Sequence, residues 1–201
     1  MTTKEAIERR RSIRRYRPEP VPEEQVMQLI EAARLAPSGS NAQPWRFKIV
    51  TDRATRERLA AAARSQPFVA QAPVVIVCCA DVEGYIEGTV SGAQDLGRTG
   101  VLEGRIVDIL LERAKALRGE AAADIGPRAA ANVAIAVEHM VLRALDFGLG
   151  TCWVRMFDER AVRDIFGWGE NLFVVALLPV GYPAEAPAPR KRLSIEEILL
   201  D

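Results

Sequence analysis

A single histidine, His139, and three cysteines are all that this 201-residue chain offers to imidazole or thiolate chemistry. No CxxC pair and no Cys/His cluster occurs, which excludes the common zinc sites, and a histidine-based triad has only His139 to draw on. Cys78 and Cys79 are adjacent and Cys152 stands alone, so no disulfide framework is possible and a reducing compartment is expected. Net charge is also lacking: 27 Lys and Arg balance 27 Asp and Glu. A protein that lives on nucleic acid or on an anionic membrane needs a net basic surface, so both roles are disfavoured. No apolar run approaches the roughly 20 residues that span a bilayer. The opening MTTKEAIERRR has no apolar core of the signal-peptide kind, and the expected location is the cytoplasm. What is present, 49% hydrophobic and 27% charged residues, describes one folded domain of ordinary size.

Thr2 and Glu5 form a capping box for a short helix reaching about Arg11. Pro22 opens a second, carried by Val26, Leu29, Ile30 and Ala33, which must stop near Ala36 at the turn residues that follow. Trp45, Phe47 and Ile49 alternate with polar residues as a half-buried strand, and Asp52 caps a helix to about Arg64. Val74 to Ala80 is an unbroken apolar run, read as a central strand covered on both faces. Glycines recur through residues 81–104 without a phosphate-loop pattern, which suggests a mobile segment. Helical spacing returns at Ile106, Ile109, Leu110, Ala114 and Leu117. A long helix is expected from about Pro127 to Phe147, a strand from Thr151 to Met156, and a short helix from Asp158 to Gly167. A strand from Leu172 to Leu178 and a terminal helix capped by Ser194 and Glu197 complete the chain. The fold class is mixed α and β, with no repeat or linker to divide it.

Four clusters could carry chemistry. In Arg9 to Arg17, a helical turn would aim Arg10 and Arg14 at one spot with Ser12 beside them, a donor set suited to phosphate. The same residues also fit a solvated basic face or a weak nucleic-acid patch. Pro37 to Trp45 offers main-chain amides, hydroxyls and carboxamides suited to the edge of a planar heterocycle, or merely a polar turn. Gly148 to Trp153 lacks the third glycine of a dinucleotide fingerprint and follows a helix instead of a strand. Arg190, Lys191 and Arg192 form a second basic cluster. Cys78 and Cys79 read as inert core residues, and Cys152 shows no sign of a lowered pKa. His139 reads as a satisfied core or interface residue. Trp168 and Tyr85 are either packing or substrate-stacking residues.

Taken in order, RRSIRRY, PSGSNAQPW, GLGTCW and PVGYP before a basic C-terminal segment, the whole chain resembles the FMN-dependent nitroreductase family. The resemblance implies an α+β fold with a central mixed, mostly antiparallel sheet flanked by helices, in an intertwined homodimer holding FMN at its interface. It implies that Arg10 and Ser12 hold the FMN phosphate and ribityl chain, that Arg11 contributes mainly main chain, and that Arg14 reaches flavin N1 and O2. Pro37, Ser38, Ser40 and Asn41 would contact the flavin from the other subunit. Trp153, Val154 and Arg155 would run along the ring near N5, and Arg190 and Arg192 would close over the phosphate. Gln66 or Arg64 lies where the family has a polar flavin contact. The Pro-x-Glu-Gly stretch of the best-known members is replaced here by Val154-Arg155-Met156-Phe157.

The implied activity is hydride transfer from NADH or NADPH through flavin N5 to a nitroaromatic or quinone-like acceptor, in a ping-pong cycle. A cation near N1 raises the flavin potential, and the absence of a catalytic histidine, metal ligands or a triad fits chemistry carried by the cofactor. The same superfamily includes flavin-dependent dehydrogenases, dehalogenases and an enzyme that consumes reduced flavin, and flavin storage is a further alternative. A nucleic-acid module built on RRRSIRRYR is the third class. Residues of about 84–120 are expected to form a variable lid that chooses the acceptor.

Overall fold

The computed structural model describes residues 1–200. Four strands form one antiparallel sheet: β1 (Trp45–Val50), β2 (Val74–Asp81), β3 (Gly150–Thr151) and β4 (Leu172–Gly181), in the order β1-β2-β4-β3. The central pair, β2 and β4, is buried on both faces, which is why each reads as a continuous apolar run. Alternation along β2 sends Val74, Ile76, Cys78 and Ala80 to one face and Val75, Val77 and Cys79 to the other. Helices α2 (Glu23–Arg34) and α7 (Ala122–Ala144) cover the first face. Helices α3 (Arg53–Ala62), α4 (Pro67–Gln71) and α8 (Glu159–Phe166) cover the second, together with Ile13 and Tyr16. A bulge opposite Cys78 and Cys79 shifts the register, so Val174 and Leu177 share the second face although they are an odd number of residues apart. Each fully buried valine or isoleucine here contributes about 1.5–3 kcal/mol relative to exposure.

Local signals hold where they are purely local. The Thr2–Glu5 and Ser194–Glu197 capping boxes open α1 (Thr3–Arg9) and α9 (Ile195–Ile198), and Asp52 and Asp158 cap α3 and α8. Gly167 ends α8 in the left-handed region at φ +67°. Helix α7 begins at Ala122 instead of Pro127, because a proline this near the N-terminus removes only one intrahelical bond while Ile125 already lies in the core. The expected strand over 151–156 shrinks to Gly150–Thr151 plus a single bridge from Val154 to Leu177. Helix α4 has no counterpart in the sequence reading. No helix among the described residues is long and apolar enough to cross a membrane.

The 81–104 segment read as mobile from its glycines is mostly helical, as α5 (Val82–Arg98), and the helical spacing expected from Ile106 to Leu117 forms α6 (Gly104–Leu117). Asp81 caps α5, its Oδ1 accepting the Gly84 N–H at 2.9 Å. Gly88 and Gly92 lie one turn apart on the face that meets the 39–42 loop. A Cβ on Gly88 would stand 2.3 Å from the Ala42 carbonyl oxygen, and one on Gly92 only 1.6 Å from that of Ser40. Helix and loop touch main chain to main chain, and only glycine allows it. On α6 the apolar face is half covered: Ala114 and Leu117 are buried, while Ile106 and Ile109 remain 42% and 53% exposed.

These contacts make Gly92→Ala a strained variant. It is expected to lose at least about 1–3 kcal/mol by overpacking. Gly104→Ala, whose Cβ would meet nothing within 4 Å, should be neutral or slightly stabilising. Equal urea midpoints for the two variants would refute the close approach. All three cysteines are buried. Burial raises Cys152 and Cys78 and pushes Cys79 up to about 12, which leaves roughly one Cys79 in ten thousand as thiolate at pH 8. A disulfide-exchange reagent should therefore label no thiol in the folded protein and three per chain in denaturant.

Candidate functional site

Helix α1 ends at Arg9, and Arg11 seals it: its Nη1 donates to the Glu8 and Arg10 carbonyls, both at 2.8 Å. The chain then runs extended. Ile13 N donates to the Thr151 carbonyl, Arg17 N to that of Tyr182, and Ala184 N to that of Arg15, each at 2.9 Å. The Glu185 carboxylate accepts the Arg14 N–H at 2.5 Å. Alternate residues of an extended segment share a face. Arg10, Ser12 and Arg14 therefore converge through a period of two, and the helical turn expected to pair Arg10 with Arg14 is absent. Ile13 and Tyr16 anchor the other side, the Tyr16 hydroxyl donating to the Ile13 carbonyl at 2.7 Å. Beneath Arg14 lies the Phe68 ring of α4, 5.9 Å from the guanidinium carbon to the ring centroid.

Pairing with residues 182–185 turns the C-terminal segment back over this stretch. The result is a cleft of about 660 Å³ lined by Arg10, Arg11, Ser12 and Arg14 from one end of the chain and Arg190 and Arg192 from the other. Glu8 and Glu185 are its two carboxylates, and Glu185 is engaged with the Arg14 amide. Five guanidinium groups against two carboxylates make a local field for an anion of more than one charge, and arginine forks match phosphate oxygens.

The 152–155 stretch adds main-chain donors. Val154 is buried and both its amide and its carbonyl bond Leu177 at 3.0 Å, so it brings no free group and anchors its neighbours instead. The main-chain N–H groups of Trp153 and Arg155 meet no protein acceptor among the described residues. The Trp153 indole Nε1 donates to Glu138 Oε2 on α7 at 3.1 Å, and Glu138 Oε1 stands 3.8 Å from Arg10 Nε. Glu138 is absent from the sequence candidates, since nothing local links it to either partner.

The Pro37–Asn41 loop is built under strain. Ser40, Asn41 and Gln43 adopt φ of +50°, +53° and +46°, a region costing roughly 1–3 kcal/mol for each non-glycine residue. Ser38 Oγ accepts the Gln43 N–H at 3.0 Å, and Asn132 Oδ1 on α7 accepts that of Gly39 at 2.9 Å. Asn132 is a second residue invisible to local sequence reading. None of Pro37, Ser38, Ser40 or Asn41 lines the arginine cleft of the same chain.

Gln66 is likewise outside that cleft. Its amide donates to the Ala63 and Met156 carbonyls at 2.9 and 3.3 Å, tying α4 to the end of the 152–156 stretch. Arg64 is exposed, at φ +58°. His139 is satisfied: Nδ1 lies 3.2 Å from the Ala32 carbonyl, which can only accept, so Nδ1 carries the proton. Tyr85 is buried in the core, and Trp168 stacks on Phe166 with ring centroids 4.5 Å apart.

Comparison with known proteins bears on the family and the fold. The family model described as the nitroreductase family matches residues 7–182. An NADH dehydrogenase of Thermus thermophilus is 36% identical over 204 residues, spanning 100% of this chain and 96% of the relative. An FMN reductase [NAD(P)H] of Bacillus subtilis is 28% identical over 190 residues, spanning 94% of this chain and 68% of the relative. A solved structure from Exiguobacterium sibiricum, described as a nitroreductase in complex with FMN, superposes with a TM-score of 0.79 at 24% identity, over 99% of this chain and 96% of the other.

Proposed function

Because the chain belongs to the nitroreductase family and is an oxidoreductase by that membership, we propose that it binds FMN and passes a hydride from NADH or NADPH to a small nitroaromatic or quinone-like acceptor. The arginine cleft is the observation that carries this reading. FMN ends in a phosphate of nearly two negative charges, and the cleft gathers guanidinium groups from both ends of the chain around the Ser12 hydroxyl. Bound FMN would supply the hydride-accepting N5; the protein supplies the binding site and the orientation.

In this reading Arg10, Arg190, Arg192 and Ser12 hold the phosphate and ribityl chain. Arg14, lying over Phe68, presents its charge toward flavin N1 and O2, where a cation favours the reduced, anionic ring. The free N–H groups of Trp153 and Arg155 line the ring edge. Pro37, Ser38, Ser40 and Asn41 come from a second chain, so the active form is a homodimer working in ping-pong fashion. Two facts favour that assembly: the strained loop stands apart from the cleft of its own chain, and Ile106 and Ile109 lie uncovered on α6. Val154 anchors the 152–155 stretch to Leu177, Gln66 ties α4 to Met156, and in this reading both belong to the cofactor shell. Three free buried thiols suit the cytoplasm.

The acceptor-selecting wall is narrower than residues 84–120. The Gly88–Gly92 face of α5 is built into the loop that would hold the flavin, whereas α6 rests mainly on α5. Exchanging residues 101–120 for a relative's should reorder acceptor preference and leave FMN affinity within about twofold; loss of FMN instead would make α6 part of the cofactor shell.

Purified protein should carry or take up FMN, and NADH or NADPH should bleach the bound flavin faster than free FMN in a stopped-flow mixer. Arg192→Ala should weaken FMN roughly tenfold or more, the weight of one charge-assisted hydrogen bond. Failure to bind FMN would overturn the proposal. Bound flavin that neither nucleotide reduces faster than free flavin would move the chain to the dehydrogenases, dehalogenases or flavin-consuming enzymes of the superfamily.

A further inference from the structure

We infer that Glu138 is a positioning residue for the phosphate end of the cofactor site, acting through Arg10; the inference rests on the FMN reading above. Glu138 sits on α7, and its carboxylate reaches two site residues that are far apart in sequence. Oε2 accepts the Trp153 indole N–H at 3.1 Å, and Oε1 faces Arg10 Nε at 3.8 Å.

The side of the guanidinium that Glu138 addresses decides what the pair can do. Arg10 meets the carboxylate through its Nε, in an ion pair longer than a hydrogen bond, and among the described residues its terminal nitrogens donate no hydrogen bond to the protein. A guanidinium drawn from behind through its Nε edge by an ion pair keeps its two terminal amino groups free for an anion in front. A carboxylate bound to the terminal nitrogens would instead compete with a phosphate for the same donors. The Trp153 hydrogen bond holds the other oxygen, so the carboxylate is fixed before Arg10 is drawn to it. Arg10 is more enclosed than Glu138, at 27% against 44% side-chain exposure, which leaves it few rotamers once the Nε edge is held. Orientation is thereby imposed before the ligand arrives, and less freedom is lost on binding.

A carboxylate near a phosphate site also repels the phosphate, so the sign of its effect is a real test. With orientation dominant, Glu138→Gln, which keeps an acceptor for Trp153 and removes the charge, should weaken FMN about two- to fivefold, the size expected of a partly exposed pair. The decisive measurement is a double-mutant cycle of FMN dissociation constants for the wild type, Glu138→Gln, Arg10→Gln and the double variant. The double variant should bind FMN no more weakly than Arg10→Gln alone, because Glu138 has nothing left to orient. Two penalties that simply multiply would show a general structural effect and overturn the inference. So would FMN binding by Glu138→Gln that equals or exceeds the wild type. Failure of the wild type to bind FMN would instead overturn the underlying reading. Far-ultraviolet circular dichroism checks that each variant folds; should Glu138→Gln fail, Glu138→Asp takes its place in the cycle under the same criterion of non-additivity.

Discussion

The pairing of residues 12–17 with Thr151 on one side and residues 182–185 on the other is the constraint on which the site depends. Three main-chain hydrogen bonds at 2.9 Å and the Glu185 carboxylate on the Arg14 amide hold the basic stretch extended. Extension sets the side-chain period to two, which points Arg10, Ser12 and Arg14 the same way while Ile13 and Tyr16 lock into the core. The same pairing fixes where the chain goes after β4, and so brings Arg190 and Arg192 back over Arg10. A cleft assembled from both ends of the chain thus needs no rigid element of its own. It borrows rigidity from the sheet edge at Thr151, from the residues that follow β4, and from the buried anchors Ile13 and Tyr16.

What was legible in the sequence follows from how local each cause is. Helix caps were readable because the partner lies three residues away, as at Thr2 and Glu5 or Ser194 and Glu197. The two central strands were readable because burial on both faces leaves no polar position. The conformation of the Arg10–Arg14 stretch was not, since spacings of two and four are both compatible with convergence, and only the tertiary pairing selects one. The glycines of α5 were misread for a related reason: glycine marks either freedom or close approach, and the deciding neighbours, Ser40 and Ala42, lie some fifty residues earlier. Glu138 and Asn132 were invisible altogether, because their roles exist only between elements.

Charge shows the same division between global and local. A net charge of zero argued against a nucleic-acid surface, and it is consistent with a cleft holding five arginines because the balancing carboxylates are spread over the rest of the chain. Many of those lie in exposed pairs such as Arg53–Glu57 and Arg98–Asp95, where solvent screening leaves about 0–1 kcal/mol each. Among the described residues the cleft arginines lack such partners at their terminal nitrogens, or spend them on main-chain carbonyls as Arg11 does. Their charge is therefore available to a ligand.

Strain and freedom are likewise placed in different parts of the fold. Ser40, Asn41 and Gln43 keep left-handed conformations only because something outside the loop over-determines them. That something is α5, pressed on it through Gly88 and Gly92, and α7, holding Gly39 through Asn132. A loop gripped on two sides cannot adapt to each new ligand, which suits a site that always receives the same cofactor. Helix α6 is under no such grip: it follows Gly100, which alone in its stretch takes a positive φ, at +75°, with open space around it, and it leaves two isoleucines uncovered. The division runs between α5 and α6, at the turn that joins them. Sequence change beyond that turn can therefore alter what approaches the site without disturbing the loop, whereas any side chain added at Gly88 or Gly92 reaches it directly.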